Sequence, residues 1–230
     1  MKVGKSRLAY VAVFAVAMAW VEAAVVLYLR VLVNRLQPYQ PDPLPHFGGL
    51  GQAELIREGA TLLMLLAVGW LAGERVRTRL ACSAFAFGVW DIFYYVFLIP
   101  LTGWPHSLLD WDILFLVPVP WWGPVIAPVS IAALLAAGGA AVALLDSEER
   151  AVRPGRAGAI LGAAGTALVL LAFMANALGA AGRGADAIRE ALPVGFPWPI
   201  FLAGFLLMAI PVLDIVRRFV VIINKQEPAQ

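Results

Sequence analysis

The sequence predicts an all-α integral membrane protein with six transmembrane helices, and three observations predict it. Hydrophobic residues make up 62% of the 230-residue chain and charged residues only 14%, whereas a soluble domain of this size carries about a quarter charged. Mean hydropathy is +0.84, concentrated in six apolar runs of about 20 residues, the length that crosses a hydrocarbon core of about 30 Å. The basic residues alternate in abundance from one inter-run segment to the next. A single polytopic membrane domain spanning 1–230 accounts for all three.

The spans are expected at about 8–32, 55–73, 80–101, 124–145, 157–178 and 200–219. The basic start Met1–Arg7 resembles the n-region of a secretory signal. The apolar run that follows continues to Val33, too long for a signal core, so an uncleaved first span is expected. Four segments each hold three basic residues: Lys2, Lys5 and Arg7; Arg75, Arg77 and Arg79; Arg150, Arg153 and Arg156; Arg217, Arg218 and Lys225. The opposite side has only Arg30, Arg35, Arg57, Arg183 and Arg189. The positive-inside rule then puts both termini in the cytoplasm.

The outer loops are long and rich in Pro, Gly and Trp. Residues 37–46 contain four prolines and cannot continue a helix. Trp104, Trp111, Trp121, Trp122 and Trp198 fall near outer span ends, as an interfacial belt would. Residues 113–145 would make a straight helix of about 50 Å, too long for the bilayer. Pro118, Pro120, Pro124 and Pro128 break it. The expectation is a re-entrant or interfacial segment over about 113–123, with Pro124 in the first turn of the fourth span. Broken backbone at that depth needs protein or a water-filled cavity around it.

Charged residues inside the spans carry the functional signal, because an acid at membrane depth costs about 2.5 kcal/mol or more unless protonated, paired or metal-bound. Counting from the basic boundary at 1.5 Å per residue puts Asp91 about 18 Å up, Glu22 about 22 Å and Glu58 about 25 Å. Three acids from three successive helices thus share one layer. Glu54, Arg57 and Glu58 lie on one helical face at i, i+3 and i+4. Tyr94 and Tyr95 stand about one turn above Asp91. Asp110 and Asp112 open the 113–123 segment, and the two histidines, His46 and His106, lie in outer loops.

Converging carboxylates repel one another unless protonated or bridged by cations. A divalent metal is one such bridge. A carboxylate-dominated set favours Mn, Fe, Mg or Ca, with Zn if histidine joins. Glu22, Glu58, Asp91, Asp112 and His106 are the expected ligands, with Glu54, Asp110 and His46 as an outer set; Arg57, Tyr94 and Tyr95 would orient them. Other roles stay open. Glu22 could pair with Arg57, Asp91 could be a protonated packing group, and the histidines could be plain interfacial residues. Asp214 precedes Arg217 and Arg218 by one turn and reads as an ion pair outside the site. Cys82, the only cysteine, excludes an internal disulfide and reads as a packing residue.

The strings VEAAVVLYLR (21–30), REGATLLMLLAVGWLAG (57–73), FGVWDIFYYVFL (87–98) and WDILFLVPVPWWGPV (111–125) resemble a group of uncharacterised bacterial six-span inner-membrane proteins. The resemblance implies a bacterial inner-membrane location and no activity.

Function is expected to centre on an outward-facing carboxylate metal site, which in an enzyme would serve metal-dependent chemistry on a lipophilic substrate. A proton- or cation-coupled transporter using the same acids as a relay is the first alternative. The second is a non-catalytic membrane-complex subunit or assembly factor. The expected partners are the lipid bilayer, a lipophilic or small cationic ligand, and an oligomeric copy or partner subunit. A net charge of +2 gives no reason to expect nucleic acid.

Overall fold

The structure, a computed structural model of the protein, describes residues 3–34, 37–39, 49–116, 118–146, 152, 154–184, 187–188 and 192–226, with backbone alone at 49–50 and 218–226. The chain is 77% helical, and six helices are long and apolar enough to cross a membrane, as an all-α membrane protein requires. They are α1 (Lys5–Leu32), α2 (Gly49–Ala72), α3 (Val76–Thr102), α4 (Ile126–Leu145), α5 (Arg156–Ala180) and α6 (Trp198–Gln226). Each expected span falls on one of them.

Two short strands are described besides the helices. Trp111–Ile113 (β1) pairs antiparallel with Trp122–Pro124 (β2), with Asp112 opposite Gly123. Leu114 N–H donates to Trp121 O at 2.9 Å and Trp121 N–H to Phe115 O at 2.8 Å, extending the ladder. The expected irregular segment is therefore a hairpin whose backbone groups satisfy one another, as a low-dielectric position demands. Pro124 closes β2 rather than opening α4. A proline at the end of a two-stranded edge leaves no ladder donor unmet, and the helix begins at Ile126.

Small residues set the helix spacing. A Cβ on Gly139 would lie 2.5 Å from Ala81 O, and one on Gly88 would strike Ala132 O, so α3 and α4 meet backbone to backbone. Gly165 would similarly meet Gly204 O at 2.5 Å between α5 and α6, and Gly138 would meet Val212 at 2.8 Å between α4 and α6. Lipid gives no hydrophobic drive to helix pairing, so close van der Waals approach has to supply it.

α3 is the central strut, packed on α1, α2 and α4, while α6 joins α4 to α5. The turn from α2 to α3 is pinned by Thr78, whose hydroxyl accepts from Arg75 N–H at 3.0 Å and donates to Arg75 O at 3.0 Å. At the same end, Asp146 is fully buried and receives Arg77 Nε at 3.0 Å, Arg75 at 3.4 Å and Val152 N–H at 2.9 Å. Burial alone would raise its pKa, but these donors outweigh burial and hold the carboxyl below its usual range.

Candidate functional site

Following Glu22 along α1 in steps of four leads to Val26 and Arg30, which therefore share a face. All three line a cavity of about 420 Å³. From α2 come Glu54, Arg57, Glu58 and Thr61, again one face; from α3 come Phe87, Trp90, Asp91, Tyr94 and Tyr95. Asp112 and residues 113–116 of the hairpin cover it, while α4, α5 and α6 supply an opposite wall that is apolar apart from Thr166. The cavity thus has one charged side and one greasy side.

Four of the five expected ligands, Glu22, Glu58, Asp91 and Asp112, reach this cavity, and two of those four already have a cationic side chain. Arg57 pairs with Glu22, which also accepts from Thr61 Oγ1 at 3.1 Å. The same guanidinium holds Glu54 through Nε at 2.8 Å. Asp112, only 2% exposed, accepts from Tyr95 Oη at 2.9 Å and faces Arg30 at 3.7 Å. Tyr95 thus donates to a carboxylate of the chamber. Tyr94 lines the cavity and stacks on Trp90 at 6.3 Å.

The other two acids differ. Glu58 accepts a single hydrogen bond from Leu116 N–H at 3.3 Å. Asp91, 9% exposed, makes no hydrogen bond or ion pair among the described residues.

His106 is not at the site. Its side chain is 64% exposed, and it bonds to Asp110 through Nδ1 at 3.3 Å and backbone N–H at 2.8 Å. The short loop 106–110 closes on itself there, with Ser107 Oγ donating to Asp110 at 2.8 Å. Burial raises the Asp110 pKa, but the hydrogen bonds donated by His106 and Ser107 together outweigh it and lower it. Asp110 therefore also lies off the cavity. His46 falls outside the described residues. Among those residues, no three His, Cys, Asp or Glu side chains gather closely enough to hold a metal ion.

Arg30 is the residue that sequence reasoning missed. Its place near the end of α1 suggested the outer surface, yet it is 8% exposed and lies 4.6 Å above the Trp104 ring. The i, i+8 spacing from Glu22 was the available signal.

No family model, no curated protein and no solved structure matches the chain.

Proposed function

We propose that this is a multi-pass protein of the bacterial inner membrane, with both termini in the cytoplasm, whose chamber lies toward the periplasmic side and binds an organic cation. The asymmetry of twelve basic residues against five supports the orientation. Asp91 carries the binding reading. Among the described residues, five carboxylates and two guanidiniums line the chamber. The arginines form ion pairs with Glu22, Glu54 and Asp112, and Arg57 also acts electrostatically on its neighbour Glu58, which leaves Asp91 as the lining acid without a cationic partner among those residues. A buried carboxylate in that position is stabilised by a cation brought from outside.

Size and lining favour an organic cation. About 420 Å³ lies within the range of small-molecule sites and far exceeds one ion. The Trp90 and Tyr94 rings stand beside Asp91 on α3 and also line the chamber. Aromatic faces attract ammonium-type cations by about 1–2 kcal/mol when desolvated.

A divalent metal is the second reading, favoured because Asp91 and Glu58 share the chamber and neither is in an ion pair among the described residues. Both carboxylates would be ligands, and the metal would supply Lewis-acid chemistry toward a lipophilic substrate.

Protein reconstituted in lipid nanodiscs and titrated separately with tetraphenylphosphonium and Mn²⁺ tests both readings. Saturable tetraphenylphosphonium binding that weakens at least tenfold in Asp91→Asn is expected. Binding indifferent to Asp91→Asn would exclude the organic-cation reading. Stoichiometric Mn²⁺ lost in both Asp91→Asn and Glu58→Gln would install the metal.

A further inference from the structure

The chamber lacks one wall. The helices form an open series in which α2 packs on α3, α3 on α4, α4 on α6 and α6 on α5, with α1 behind the first three. Its two ends, α2 and α5, both line the chamber. Even so, no Cα of α2 comes within 8 Å of a Cα of α5 among the described residues. Packed helices run with axes about 8–10 Å apart, so a pair in contact would bring several Cα atoms closer than that. Among the described residues the two helices are therefore not packed on each other.

Thr166 marks the mouth. It is an exposed residue of α5 and a lining residue of the chamber at once. Ten residues beyond Arg156, it stands about 15 Å above that end of the helix, near mid-bilayer. The hairpin covers one end, tied to α2 by the Leu116–Glu58 hydrogen bond, and the glycine contacts of α3 with α4 and of α4 with α6 close the back. An opening at this depth faces acyl chains rather than water.

We propose that the space between α2 and α5 is a lateral entrance from the bilayer. The occupant is a single-chain amphiphile with a quaternary or protonated amine head. The head sits against Asp91 and Glu58, and the hydrocarbon chain passes Leu170 and Thr166 into the lipid. Charge complementarity selects the head: Asp91 and Glu58 lie on the charged wall, and among the described residues neither is within ion-pair distance of an arginine. The apolar wall of Val169, Leu170 and Met208 accommodates the start of the chain. This inference rests on the organic-cation reading and adds the route and the tail.

The test compares phenyltrimethylammonium with dodecyltrimethylammonium on nanodisc-embedded protein. Tail partitioning alone concentrates the second probe in the lipid, so the decisive comparison is between proteins. Thr166→Trp, which fills the mouth, is expected to weaken dodecyltrimethylammonium at least tenfold and phenyltrimethylammonium less than twofold. In the wild type, a dodecyltrimethylammonium analogue with a diazirine on its chain is expected to label α2 and α5, with excess unlabelled probe and Asp91→Asn each abolishing the signal. That map keeps the proposal open to refutation should Thr166→Trp not fold. Asp91-dependent binding of both probes, with labelling confined to other helices or an unaffected Thr166→Trp, would overturn the entrance and leave the cation reading standing. Failure of both probes to bind in an Asp91-dependent way would overturn the two together.

Discussion

Arg57 of α2 reaches across to Glu22 of α1 while also holding Glu54 on its own helix. One guanidinium thus fixes two carboxylates, and its planar fork suits that bridging role. Removing it strands both acids. Arg57→Met is expected to destabilise the protein by about 3 kcal/mol, the lower end for a broken buried pair, because the arginine side chain keeps 22% exposure. Adding Glu22→Gln and Glu54→Gln should recover most of the loss. Thermal unfolding in detergent of the single and triple variants checks this, and an equal loss in both would refute the bridging role.

Tyr95→Phe removes the donor to Asp112 from a pair in which the carboxylate side chain is 3% exposed. A hydrogen bond to a charged group contributes about 2 kcal/mol, and the melting temperature should fall accordingly. Tyr10→Phe, at a tyrosine 75% exposed, is the control and should change nothing.

Glycine position predicts opposite responses to the same change. Gly88→Ala drives a methyl into the α4 backbone at Ala132 and Ala136 and should cost about 1–3 kcal/mol by overpacking. Gly162→Ala meets nothing within 4 Å and should be neutral or slightly stabilising through helix propensity. Melting curves of the two variants side by side decide the matter.

Asp146 gives the protein an acid-sensitive joint. Its folded pKa lies below the ordinary carboxylate value because donors from Arg77, Val152 and Arg75 outweigh its burial. A group depressed in this way stabilises the fold above its unfolded pKa of about 3.9, and that contribution is lost as pH falls through the folded value. The melting temperature of Asp146→Asn should therefore lie below wild type by a constant gap above about pH 5, and the gap should shrink below about pH 4. A gap that widens on acidification would reverse the assignment.

The six spans were legible because hydropathy over about 20 residues depends on composition and not on any contact. The shared depth of Glu22, Glu58 and Asp91 was legible for a similar reason, since rise per residue is fixed. Facing was harder. Arg57 stands one residue before Glu58, and counting depth could not say which of its neighbours it would bind; the Glu22 pair was one of two open roles for that acid. Arg30 looked interfacial because a cation near a helix end normally snorkels to water, whereas here Trp104 and Asp112 give it an interior partner. The 113–123 segment was recognisable as non-helical from its prolines. Its strand pairing was not, because register depends on Gly123 fitting beneath Phe173. A Cβ at that glycine would lie 2.8 Å from the ring, and a contact between residues so far apart in the chain leaves no local mark.

The position of the chamber's charges has a mechanical consequence. Its acids and arginines come from α1, α2, α3 and β1, and α5 and α6 contribute apolar groups and one threonine. Ion pairs hold their partners at a set distance and angle, whereas apolar contact has no preferred direction. The charged side therefore behaves as a fixed jaw. The α5–α6 pair is joined to that jaw by apolar packing, through α4 and through Phe173 over Gly123 of the hairpin, and carries none of the chamber's charges.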